Sequence, residues 1–178
     1  MSDATRTLLN CLDTLPLGTT AEELKTLTQA AGFDPNLPIE GRLVLVSAAR
    51  TDNVDFVRIL LEAGADPNLW DTDRCKNALG AASQAGDLTT LKLLLAHGAD
   101  PNLPPIPGTS PPLVFATHRV LLVKELLTHG ADPNLPTISQ HKTLSATPLT
   151  RAASGGYVES ANLLLDEGAD INFGFFAK

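Results

Sequence analysis

Gly98-Ala99-Asp100-Pro101-Asn102-Leu103 is the phrase that decides the fold, because the chain repeats it. It returns as Gly64-Ala65-Asp66-Pro67-Asn68-Leu69 and as Gly130-Ala131-Asp132-Pro133-Asn134-Leu135. Looser copies are Gly32-Phe33-Asp34-Pro35-Asn36-Leu37 and Gly168-Ala169-Asp170-Ile171-Asn172-Phe173. Successive glycines stand 32, 34, 32 and 38 residues apart. A period near 33 is the signature of a stacked-repeat solenoid. Four of the five copies follow an apolar run, such as Leu93-Leu94-Leu95 or Leu163-Leu164-Leu165. The run is the inner stripe of a short helix, and Gly supplies the left-handed residue that ends it. Pro cannot continue the helix, while Asp and Asn are expected to bond nearby backbone in a turn.

Working outward, each stop closes a pair of short helices. In the second unit Leu45, Ala48 and Ala49 belong to one helix and Val54, Val57, Leu60 and Leu61 to the next. In the third the same roles fall to Leu79, Ala82, Leu88, Leu91, Leu94 and Leu95. The first unit is irregular: a helix over Asp3–Leu15, a break at Pro16-Leu17-Gly18-Thr19, and a capping box at Thr20 and Glu23. A second helix is expected to run to Ala31, with Leu24 and Leu27 facing inward. The fourth unit drops about two residues at Ala116-Thr117-His118-Arg119-Val120, where the usual Gly is missing. Repeat boundaries are expected at 3–37, 38–69, 70–103, 104–135 and 136–173, with a tail at 174–178, in one domain.

The fifth unit is the clearest. Thr147-Pro148-Leu149, Ala152-Ala153 and Gly155-Gly156, then an apolar helix ending Leu164-Leu165-Asp166-Glu167-Gly168-Ala169-Asp170, resemble the ankyrin repeat. Residues 77–102 and 43–68 match its skeleton, 111–134 match with a gap, and 3–36 match in their second half. The resemblance implies an all-α solenoid of helix-turn-helix units with β-hairpin-like finger loops. It also implies a concave face of fingers and first helices that binds a partner protein.

The totals agree with an array. Hydrophobic residues make up 43% of the 178 and aromatics only 4%, which suits close packing of Leu, Ala and Val on short helices. No apolar run nears the roughly 18 residues of a membrane span. Met1–Leu9 lacks a basic segment followed by an apolar core, so no secretory signal is expected. Cys11 and Cys75 lie far apart and read as reduced thiols of a cytoplasmic protein. The polar start and Phe-rich end read as finished termini. Net charge is −7, from 20 acidic and 13 basic residues. Five of those acids are the turn aspartates Asp34, Asp66, Asp100, Asp132 and Asp170. Stacked helices lie about 8–10 Å apart, so these carboxylates should form a ridge that could steer a basic partner. Without a basic stripe, nucleic-acid binding is not expected.

No catalytic set, cofactor motif or metal-ligand spacing emerges. His97 and His129 precede the helix-ending Gly and complement the negative helix end; neither has His or Cys at a ligand spacing. Asp71-Thr72-Asp73 starts like a calcium loop, but Ala82 stands where Glu is required. Ser154-Gly155-Gly156 lacks the strand and lysine of a phosphate loop. Cys75 beside Lys76 reads as a passive thiol. Pro104-Pro105-Ile106-Pro107 reads as a stiffened finger rather than a polyproline ligand.

The candidate partner-binding residues are therefore on fingers and joints. Trp70, Asp71, Asp73 and Arg74 make one finger, and Trp and Arg are favoured hot spots. Ile106 lies on the next, and His118 and Arg119 on the gapped joint. Ile138, Gln140, His141 and Lys142 lie on a finger longer than the fold requires. Phe173-Gly174-Phe175-Phe176 reads as a cap on a monomer, with a dimer edge as the alternative. The expected function is a protein-binding module; alternatives are an inhibitor or immunity protein acting on a toxin or enzyme, by analogy alone, and, further off, an enzyme or small-ligand sensor.

Overall fold

The computed structural model describes residues 21–29, 32–38, 41–51, 53–71, 76–103, 107–139 and 144–173. Among them are nine helices and one two-stranded sheet: α1 Ala21–Thr28, α2 Val44–Ala48, α3 Val54–Glu62, α4 Ala78–Ala85, α5 Leu88–Ala96, α6 Pro112–Ala116, α7 Val120–Thr128, β1 Thr137–Ile138, β2 Leu144–Ala146, α8 Pro148–Gly155 and α9 Val158–Asp166. The helix before Leu15 and the Thr20 cap lie outside the described residues.

The helices stack in two rows. First helices α2, α4, α6 and α8 pack each on the next; second helices α1, α3, α5, α7 and α9 do the same. Within each of the pairs α2–α3, α4–α5, α6–α7 and α8–α9 the two helices also touch. Each helix is too short to be stable alone in water, so burial between rows holds it. The buried set is Leu, Val and Ala at helical spacing: Leu45, Ala48, Leu79, Ala82, Leu91, Leu94, Leu126, Leu149 and Leu164 are all at or below 8% exposure. Leu24 is buried and Leu27 packs partly against the core, as their spacing predicts.

The five stop glycines adopt positive φ, 78° to 89°. Behind four of them the backbone closes in the same way. Gly98 N–H donates to Leu95 O and Ala99 N–H to Leu94 O, with equivalents at Gly64, Gly130 and Gly168. This pair of hydrogen bonds satisfies carbonyls the helix end would leave open.

The Asp and Asn that follow divide the work in a way the sequence does not disclose. Asp accepts locally: Asp66 Oδ1 takes Asn68 N–H at 2.9 Å, and Asp34, Asp100, Asp132 and Asp170 do likewise. Asn reaches instead into the next unit. Asn68 Nδ2 donates to Gly98 O at 3.0 Å while its Oδ1 accepts from Asp100 N–H at 2.8 Å. Asn36 clamps Gly64 and Asp66, Asn102 clamps Gly130 and Asp132, and Asn134 clamps Gly168 and Asp170. A side-chain amide with one donor end and one acceptor end thus fixes four successive turns in register. All five aspartates are exposed, so the expected acidic edge is present.

Candidate functional site

The fingers and first helices define the face opposite the second-helix row. Asp71 and Lys76 close one finger by mutual backbone bonds, Asp71 N–H to Lys76 O at 2.8 Å and Lys76 N–H to Asp71 O at 3.2 Å. The longest finger is a hairpin in which β1 and β2 pair antiparallel, Thr137 opposite Ala146 and Ile138 opposite Leu144, with a bulge between. That hairpin is tied to the preceding finger: Gly108 N–H donates to Ile138 O at 2.8 Å, and Thr137 Oγ1 to Ser110 Oγ at 2.9 Å.

Of the four first helices, α4 and α8 start on side-chain caps, whereas α2 and α6 start without one. Asn77 Oδ1 accepts from Gly80 N–H at 2.7 Å, capping α4. Thr147 and Thr150 cap α8 reciprocally, with Pro148 in the first turn where its missing N–H costs nothing. They end differently. α4 and α8, eight residues each, end on Gly86 and Gly156 at φ 78° and 69°. α6 has five residues and ends on Thr117 in the ordinary helical region. α6 is thus shorter than α4 and α8 on either side of it, and equal in length to α2, whose joint lacks no residues.

A recess of about 400 Å³ lies beside the α6–α7 joint. Phe115 and His118 line it from the α6 side, Gln84 from α4, and Arg151 and Tyr157 from α8 and its joint. Thr137 and Ala146 close it from the hairpin. Gly155 has no side chain to obstruct Tyr157, whose ring occupies the space a Cβ would need. His118 and Tyr157 face each other as tilted rings, centroids 6.3 Å apart.

Arg119 folds back across the joint of the preceding pair. Its Nη1 donates to Gly86 O at 3.1 Å, and its guanidinium lies where a Cβ on Gly86 would sit. Its Nε donates to His118 Nε2 at 3.2 Å, while His118 Nδ1 lies 3.0 Å from Phe115 O. With Nε2 accepting, Nδ1 carries the proton. Both imidazole nitrogens are therefore engaged, and His118 acts as a wall of the recess rather than a free base.

Lys76 stands at the opposite rim. Its ammonium bonds Gln84 Oε1 and lies over the Phe115 ring, 5.5 Å from the centroid. Burial, then the charge of Arg50, lowers its pKa from the ordinary 10.5, against an opposing pull from Asp71.

The candidates from the sequence distribute unevenly. His118 lines the recess, and Arg119 braces it. Trp70 and Ile138 are half-buried on fingers and do not line it. Asp71 is 1% exposed and closes a finger through its backbone bridge to Lys76. Asp73, Arg74, Ile106, Gln140, His141 and Lys142 lie outside the described residues, as do Cys11, Cys75 and residues 174–178. Phe173 is half-buried. Phe115, Arg151 and Tyr157 also line the recess, and none of them belongs to a motif that marks a site in the sequence. Among the described residues no group of three or more His, Cys, Asp or Glu side chains could hold a metal, and no helix is long and apolar enough to cross a membrane.

A sequence-family model described as Ankyrin repeats (3 copies) matches residues 17–105 and again residues 79–174. No curated protein matches the chain.

Proposed function

The chain belongs to the ankyrin-repeat family, and on that premise we propose that it binds a partner protein through its first-helix and finger face. The supporting observation is the recess between α4, α6 and α8, where Phe115, His118, Arg151 and Tyr157 surround open space. Aromatic and arginine side chains held at the rim of a depression are the groups that dominate protein interfaces. The Asn clamps and paired fingers fix them beforehand, so little conformational entropy is lost on docking. Trp70 and Ile138 extend the same face along the fingers.

The test is capture from the native host with the intact chain and with paired variants. Tyr157→Ala and Trp70→Ala are expected to lose the captured protein at unchanged circular dichroism. Lys92→Ala and Lys124→Ala, exposed on second helices, are expected to retain it. Loss on the second-helix variants with retention on the first pair would contradict the reading.

A further inference from the structure

The acidic residues and the recess lie on different parts of the molecule. The exposed turn aspartates form one edge, and Glu62, Glu125, Asp166 and Glu167 belong to the second-helix row or its ends. The recess is bordered by cations: Arg151 lines it, Lys76 reaches it through Gln84 and Phe115, and Arg119 through His118. Among the described residues neither Arg119 nor Arg151 forms an ion pair with a carboxylate. The acids facing this region are few. Asp71 is buried, Asp87 caps α5 through Oδ1, and Glu159 lines an adjoining depression that shares His118 and Tyr157 with the recess.

Resting on the reading of this face as the binding surface, we propose that the recess receives an acidic segment of the partner protein, one carboxylate meeting Arg151 beside an apolar side chain held between Phe115 and Tyr157. The net charge of −7 points to a basic partner, but local complementarity governs what docks, and the local charge is opposite in sign. A guanidinium presents a fork of donors that a carboxylate fits in two-point geometry. Lys76, whose hold on a proton is weakened by burial and then by the charge of Arg50, is favoured in its charged form by an arriving anion, which opposes the Arg50 repulsion. About 400 Å³ is room for side chains to enter, within the range of built ligand sites.

The proposal is tested with a phage library of random twelve-residue peptides panned on the intact chain at low salt. Enriched peptides are then synthesised and titrated by fluorescence anisotropy. Enrichment in Asp and Glu next to apolar residues is expected. Their affinity should fall on the order of tenfold for Arg151→Glu, and less for Arg151→Gln, with little change for Lys124→Glu on α7. Arg151 is exposed, so circular dichroism should confirm that both variants fold. Basic or uncharged enriched peptides would overturn the proposal, as would acidic peptides indifferent to Arg151 or a library without acidic binders. Any of these would leave the protein-binding reading standing if capture still depends on Tyr157 and Trp70.

Discussion

Asn102 holds together two turns that lie 30 residues apart in sequence. Its amide donates to Gly130 O and accepts from Asp132 N–H, both at 2.7 Å. Replacing it with Ala removes both bonds at a place water can partly refill, so Asn102→Ala should cost about 1–2 kcal/mol in urea unfolding. A loss near zero would show that the clamp is decorative. Gly98 makes a different demand. Its φ is 83° with nothing within 4 Å of a notional Cβ, so Gly98→Ala pays only the left-handed backbone cost, about 1–2 kcal/mol. Gly86→Ala at φ 78° pays a similar amount and also displaces the Arg119 guanidinium, so it alone should weaken partner binding. Lys76 carries a pH signature. Its folded pKa lies below 10.5, so between those two values the unfolded chain binds more protons there and stability rises with pH. Unfolding free energy of the wild type minus that of Lys76→Gln should therefore grow as pH approaches 10.5. The positive φ of the stop glycines was readable from sequence because only that residue takes the conformation without strain. The Asn clamp was not: an Asn after Asp-Pro satisfies a local turn equally well on paper. The cue left unused was its return at one register in all five copies.

At the scale of elements, α6 and its joint depart most from the repeat pattern. Its missing joint glycine and two lost residues were legible by counting, because the spacing between stops has to close. What the count could not supply was the consequence, since side chains lining a gap belong to the neighbours of the deletion and not to the deletion itself. That is why His118 and Arg119, at the gapped joint itself, stand among the sequence candidates and Phe115, Arg151 and Tyr157 do not. Inserting Ser-Gly between Thr117 and His118 should lengthen the joint toward that of α4 and α8 and fill the recess. Helical circular dichroism is expected to survive, because the buried Leu113, Ala116, Leu122 and Val123 flank the insertion, while captured partner is lost. Retained capture would show that the recess takes no part in binding.

At the scale of the molecule, two helix rows, one amide clamp at each of four junctions and cross-linked fingers make a body whose core runs as one layer along the array. Stability in such an array is a sum over units and their junctions. Leu91, fully buried in the middle of the second-helix row, is expected to cost about 2–5 kcal/mol as Leu91→Ala, enough to broaden or split the unfolding transition if the junctions are weak. The architecture was readable from one repeated phrase, since a solenoid is specified by its period. The chemistry of its binding face was not, because composition sums over edges that point in different directions: a chain of net charge −7 presents cations where it is recessed. The most direct test of the account is hydrogen–deuterium exchange on the intact chain with and without its captured partner. Protection is expected over 107–119 and 144–157, around the recess. Protection confined to 88–96 and 120–128, on the second-helix row, would contradict it.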